Sequence, residues 1–249
     1  MNSQATQINF NEYKNKTLSE IVTNNYHNSA VFDKYNLDFC CRGNKSFEEA
    51  CNEKGLELNT VFAELEQVHK IGVSQEHNYD EWELDFLIEY IINNHHKYVS
   101  KMIPVIAEHC NKVVAAHGDD HPEMNKIAEI FAVIYKDLKQ HMLKEEQILF
   151  PFIMQVVNAK KNNSETERPY FGSVQNPIRM MEAEHEHAGD GFKDIKRLSN
   201  NFSVPEDGCE TCTVLYKELK EFEEDLHKHI HLENNILFPK AIELESEML

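Results

Sequence analysis

Glycine and proline are scarce in this chain of 249 residues, at 8 and 7, and tryptophan occurs once. So few turn-forming residues exclude a fold built on hairpins and leave long helices as the natural arrangement. Positive charge is also short: 25 Lys and Arg face 43 Asp and Glu, a formal net charge of −18. A surface of that sign repels a phosphate backbone or an anionic bilayer, so neither nucleic acid nor membrane is expected as a partner. Carboxylates that hold cations would offset part of the excess. No apolar run approaches the roughly 20 residues that span a bilayer. The stretch from Met1 to Gln7 has neither the basic nor the apolar segment of a secretory leader. Cys40, Cys41, Cys51, Cys110, Cys209 and Cys212 are scattered through the chain rather than packed into a dense framework. That usage points to reduced thiols and a cytoplasmic protein.

What is present is apolar periodicity. After a tail at residues 1–16, short helical patterns fill 17–71. Leu18, Ile21 and Val22 suit one helix, Ala30, Val31 and Phe32 another, and Phe47, Ala50 and Cys51 a third. Val61, Phe62, Leu65 and Val68 suit a fourth, with Asn59 or Thr60 as its cap. A domain of that size sits near the lower limit for folding alone, so docking on its neighbour or on a second copy of the chain is expected. A polar linker at 72–80 separates it from four long patterns within 81–249, at about 81–114, 122–158, 176–199 and 212–246. Short connections around Gly118 and Pro205–Gly208 imply antiparallel neighbours. The expected fold class is all-α, an up-down-up-down four-helix bundle with a small helical N-terminal domain.

The strongest signal is an internal repeat. His141-Met-Leu-Lys-Glu145-Glu-Gln-Ile-Leu-Phe-Pro151 recurs as His229-Ile-His-Leu-Glu233-Asn-Asn-Ile-Leu-Phe-Pro239, an offset of 88 residues. His96 and His185 repeat at an offset of 89. The bundle therefore reads as two related helical hairpins, each presenting one histidine per helix at matching depth.

A helix puts positions i and i+4 on one face, so His141 with Glu145, and His229 with Glu233, can reach a common point. Both pairs interrupt an apolar stripe: Ile134, Leu138, Ile148 and Leu149 flank the first, and Phe222, Leu226, Ile236 and Leu237 the second. A buried carboxylate costs several kcal/mol unless it is paired or bound to metal. An ordinary polar network could account for one such pair, but four matched residues make that coincidence improbable. His185, with Ile178, Met181, Ala188 and Phe192 at helical offsets, also faces the core. His187 lies on a solvated face, and His227 and His231 point toward polar surroundings. His95 and His96 both have apolar neighbours, the repeat spacing slightly favouring His96. Imidazoles and carboxylates without thiolate suit iron better than a structural zinc, which takes four ligands in total. The expectation is two non-haem Fe ions, each on two histidines, with both glutamates and an oxo or hydroxo group bridging. Ferritin-like di-iron sites differ in placing the carboxylate first, as Glu-x-x-His.

These two repeats, together with Glu184-His-Glu-His-Ala-Gly189 and Asp38-Phe-Cys40-Cys41-Arg-Gly43, resemble the repair-of-iron-centres proteins of the ScdA/YtfE type. The resemblance runs from Thr17 through nearly the whole chain. It implies a hemerythrin-like bundle, and metal ligands at His96, His141, Glu145, His185, His229 and Glu233, with Glu184 supporting the centre from outside. It breaks the tie at His96, which precedes Pro104 by eight residues. It further implies repair of iron–sulfur clusters damaged by nitric oxide or oxidants. Damaged iron–sulfur proteins would be the partners, with iron donation or nitric oxide handling at the centre, the latter extending to reductase-like chemistry. Binding or sensing of oxygen or nitric oxide is the alternative. Cys40 and Cys41, next to the Arg42 cation that would lower a thiol pKa, are the expected functional thiols. Cys209-Glu-Thr-Cys212 has redox spacing but lies in a loop with no strand before it, and reads as structural. Cys51 and Cys110 read as core.

Overall fold

The computed structural model describes residues 8–70 and 78–249. Residues 1–7 of the expected tail, and the expected linker up to residue 77, lie outside the described residues. No strand occurs among the described residues, and none of their helices is long and apolar enough to cross a membrane. The chain divides into two compact units. The first runs to Glu83 and takes in His231–Ile236, and the second comprises Leu84–Ile230 and Leu237–Leu249.

In the first unit α1 (Phe10–Tyr13) precedes α2 (Leu18–Asn24), α3 (Ser29–Lys34), α4 (Phe47–Glu53) and α5 (Leu58–Lys70). The rings of Phe10 and Tyr13 pack edge-on against Phe62, so folded structure begins ahead of Thr17. Thr17 and Ser46 each close a capping box, with Glu20 and Glu49 as the returning carboxylates. Leu18 N–H donates to the Lys45 carbonyl at 3.0 Å and Phe47 N–H to that of Lys16 at 2.8 Å, which ties the starts of α2 and α4 together. Helix α5 starts earlier than its expected caps. Thr60 N–H already bonds to the Glu57 carbonyl, so Asn59 and Thr60 lie inside the first turn. The core is Leu18, Ile21, Phe32, Phe39, Phe47 and Leu65. His231 corrects the expectation of polar surroundings: it is buried, with its ring 5.6 Å from that of Tyr26 and 6.0 Å from that of Phe39.

The second unit is a four-helix bundle. Helix α6 joins Leu84–Tyr90 to Lys97–His117, and α7 joins Pro122–Lys144 to Phe150–Lys161. Helix α8 is Gln175–Leu198, and α9 joins Glu210–Leu232 to Phe238–Met248. Each buries an apolar stripe at three- and four-residue spacing, such as Ile127, Phe131, Ile134 and Leu138 on α7, or Leu215, Leu219, Phe222 and Leu226 on α9. Phe222 is the centre of an aromatic cluster, 5.6 Å from Phe192, 5.8 Å from Phe131 and 6.2 Å from Tyr98 between ring centroids. It lies two turns below His229 on the same helix. Truncating it as Phe222→Ala should cost about 3–5 kcal/mol, the range for a buried Phe. Chemical denaturation of the full chain measures this, and a loss under 1 kcal/mol would show that the cluster does not hold the bundle.

Candidate metal centre

Three of the four bundle helices are interrupted by a π-turn, and each turn carries a residue of the expected centre. His96 closes the turn Ile91–His96 in α6, Glu145 opens Glu145–Leu149 in α7, and Glu233 opens Glu233–Leu237 in α9. The Lys97 N–H reaches back five residues to the Ile92 carbonyl, as Phe150 does to Glu145. In α7 and α9 the cause is visible in the sequence. Pro151 and Pro239 have no N–H, and their rings would press on the carbonyl four residues earlier, so the backbone widens just ahead of them. His185 sits on a regular stretch of α8.

Glu145 and Glu233 are fully buried, at 0% exposure, and His96, His141, His185 and His229 are buried around them. Ligand atoms of His96, Glu145, His229 and Glu233 all lie within 4.8 Å of one another, as do those of His141, Glu145, His185 and Glu233. The two sets share their carboxylates and divide the histidines. Nε2 of His141 is 2.8 Å from Nε2 of His185 and 3.2 Å from Oε2 of Glu145, while Nε2 of His96 is 3.5 Å from that same oxygen. These atoms converge.

The far side of two imidazoles explains their orientation. His96 Nδ1 donates to Glu146 Oε1 at 2.8 Å, and His141 Nδ1 donates to Glu184 Oε2 at 2.9 Å. A carboxylate only accepts, so the ring proton stays on Nδ1 and the Nε2 lone pair faces inward, the tautomer a cation needs. Glu184 is also bonded to Lys144. The hydrogen bond from His141, reinforced by Lys144, holds its carboxyl down to about 2, so it is ionised throughout the physiological range. The donor set of imidazole and carboxylate, with no thiolate, fits iron.

The expected residues therefore come together in space, and of the two neighbouring histidines His96 is the one among them. His95 is equally buried but belongs to neither set. Its Nδ1 bonds to Asp225 at 2.9 Å and its ring stacks on His229 at 5.6 Å. His187 is exposed, 3.8 Å from Asp137. Sequence reasoning missed Glu146 and Asp225 as partners of the histidines, although Glu146 adjoins Glu145.

Cys40 and Cys41 lie in the first unit, between α3 and α4, with sulfurs 3.8 Å apart and both free. Asp38 Oδ1 takes the N–H of Cys41 at 3.0 Å and of Arg42 at 3.3 Å. A Cβ on Gly43 would lie 2.1 Å from the Phe39 carbonyl oxygen, so only glycine closes this loop. The expected activation by Arg42 is not seen at Cys40. Its neighbour thiol and its burial push it well above the ordinary thiol range.

Residues 87–241 match the family model described as the Hemerythrin HHE cation binding domain, and residues 14–69 match ScdA_N, a Domain of Unknown function (DUF542). The iron-sulfur cluster repair protein YtfE of Yersinia pseudotuberculosis serotype O:1b (strain IP 31758) is 33% identical over 234 residues, 93% of this chain and 98% of that protein. The proteins of the same name from Enterobacter sp. (strain 638) and Yersinia pestis (strain Pestoides F) are each 32% identical, over 92% and 93% of this chain and 98% of their own length. The chain belongs to the repair-of-iron-centres family. In this family member the cation-binding domain is the helical bundle just described, and the small helical unit is the ScdA_N domain.

Two substitutions test the assignment of the histidines. His96→Ala should lower the metal content per chain, measured by elemental analysis, while His95→Ala should leave it near that of the wild type. Glu146→Gln and Glu184→Gln should each weaken metal retention against a competing chelator by about 10–100-fold, the usual effect of removing a carboxylate behind a ligating histidine.

Proposed function

We propose that this chain repairs iron–sulfur clusters damaged by nitrosative or oxidative stress, supplying iron from a non-haem di-iron centre. His96 and His229 would hold one ion and His141 and His185 the other, with Glu145 and Glu233 spanning both. The observation that carries this reading is the pair of fully buried glutamates shared by two histidine pairs. Two carboxylates and four neutral imidazoles neutralise only part of the charge of two iron ions, and they lack the soft thiolates that bind transition metals most tenaciously. Such a set favours a centre that retains iron yet can surrender it. The full-length similarity to proteins named for iron–sulfur cluster repair supports the same role.

When bound, iron supplies both the transferable metal and open positions for a small ligand such as nitric oxide or oxygen. The protein's own contribution is positional. Glu146 and Glu184 fix the tautomers of His96 and His141, and the apolar layers of the bundle exclude bulk water from the carboxylates.

The test compares iron-loaded wild type with the Glu145→Ala/Glu233→Ala variant on an iron–sulfur enzyme inactivated by nitric oxide, without added iron. Wild type should carry about two irons, as carboxylate-bridged bundle sites do, and should restore activity. The variant should hold little iron and restore none. Equal reactivation by both proteins, or iron retained by the variant, would overturn the proposal.

A further inference from the structure

The bundle gathers a second set of metal-binding side chains away from the His/Glu centre. Ligand atoms of His117, Cys209 and Cys212 lie within 4.8 Å of one another. His117 is the last residue of α6, and Cys209 directly precedes α9, so the cluster joins one helix end to the next helix's start. The two connections are braced beside it. His121, just before α7, bonds through Nε2 to Asp207 at 3.0 Å and through Nδ1 to Glu123 at 3.0 Å. Gly208 makes the turn that aims Cys209, since a Cβ there would sit 2.7 Å from Val204 Cγ1 and 2.9 Å from the Pro205 carbonyl oxygen.

The separations match a tetrahedral ion. Zinc bonds sulfur at about 2.3 Å and imidazole nitrogen at about 2.0 Å, which places two thiolates on one ion about 3.8 Å apart. Sγ of Cys209 and Sγ of Cys212 stand 3.5 Å apart, and both thiols are free. The imidazole belongs to the same cluster, with a His117 ring nitrogen within 4.8 Å of both sulfurs. A disulfide would use the two sulfurs alone, whereas a cation would engage all three groups.

We propose that His117, Cys209 and Cys212 form a second metal site, selective for a thiophilic divalent cation of the zinc class, with the fourth position open to water or an exogenous ligand. Thiolate, not thiol, is the ligand, so binding of the cation would release the thiol protons. Two thiolates and one imidazole select against the harder cations that the His/Glu centre accepts. The site therefore anchors the α6 end to the α9 start when filled.

The experiment uses the reduced full-length protein and Co2+ as the probe, followed by displacement with Zn2+. The His/Glu centre has no sulfur, so thiolate-to-cobalt charge-transfer absorption reports thiol sites alone. Four proteins are compared: wild type, Cys209→Ser, His117→Ala and Cys40→Ser/Cys41→Ser. Serine is a good helix cap, so Cys209→Ser should keep the helical circular dichroism of wild type. The band should appear in wild type and in Cys40→Ser/Cys41→Ser, vanish in Cys209→Ser, and be bleached by one equivalent of Zn2+. In His117→Ala the Zn2+ affinity should fall at least tenfold. Absence of the band from wild type, its survival in Cys209→Ser, or its dependence on Cys40 and Cys41 would overturn the proposal. So would a Cys209–Cys212 disulfide that forms in air as fast with Zn2+ as without it, which would make the pair a redox dithiol.

Discussion

Two carboxylates buried at the centre of a bundle set the terms for everything around them. Glu145 and Glu233 occupy positions that the periodicity of α7 and α9 assigns to the core, where Leu or Ile would pack without electrostatic cost. Placing two negative charges there costs several kcal/mol each unless positive charge accompanies them. The four surrounding imidazoles can supply that charge only by taking up protons or by sharing a cation. Glu146 and Glu184 hold the Nδ1 protons of His96 and His141, which turns the inner nitrogens into lone-pair donors. Such an arrangement suits a bound cation, with Glu146 and Glu184 behind two of its imidazoles and apolar layers above and below.

Stability and site are carried by different residues of the same helices. The aromatic cluster around Phe222 packs α9 against α7 and α8 two turns from His229, so the bundle does not depend on the ligand layer for its packing. The first unit achieves its compactness differently. Two capping boxes lie back to back at Thr17 and Ser46, and the intervening loop closes only because residue 43 has no side chain.

Much of this was legible in the sequence because the signals are periodic or repeated. The apolar stripes placed four long helices to within a few residues, and the duplicated His-x-x-x-Glu motif picked out its own four residues together with His185. What stayed illegible depends on residues distant in sequence. His95 and His96 both have apolar neighbours along the helix, so periodicity could not choose between them where the repeat and the resemblance favoured His96. The approach of Asp225 to one and of Glu146 to the other separates them in space. His231 looked solvated from its own helix because Tyr26 and Phe39, which enclose it, lie about two hundred positions earlier. The cysteine pair at 209 and 212 looked isolated for the same reason, since His117 arrives from the end of another helix. The expected effect of Arg42 is outweighed at Cys40 by the neighbouring Cys41 thiol and by burial, both of which raise it.

The π-turns carry a consequence beyond local geometry. A π-turn amounts to one extra residue in an α-helix, and each residue of an α-helix turns the chain by about 100°. The apolar stripe of α7 beyond Phe150, and that of α9 beyond Phe238, is thus written in a different phase from the stripe before it. The extra residue is what absorbs that change of phase. Deleting one residue between Glu145 and Pro151 would let the turn close to a regular α-turn and leave Ile153, Val156 and Val157 on the core face, but without the widened backbone ahead of Pro151. The same extra residue in both halves keeps the offset of 88 unbroken from His141 and His229 through to Pro151 and Pro239.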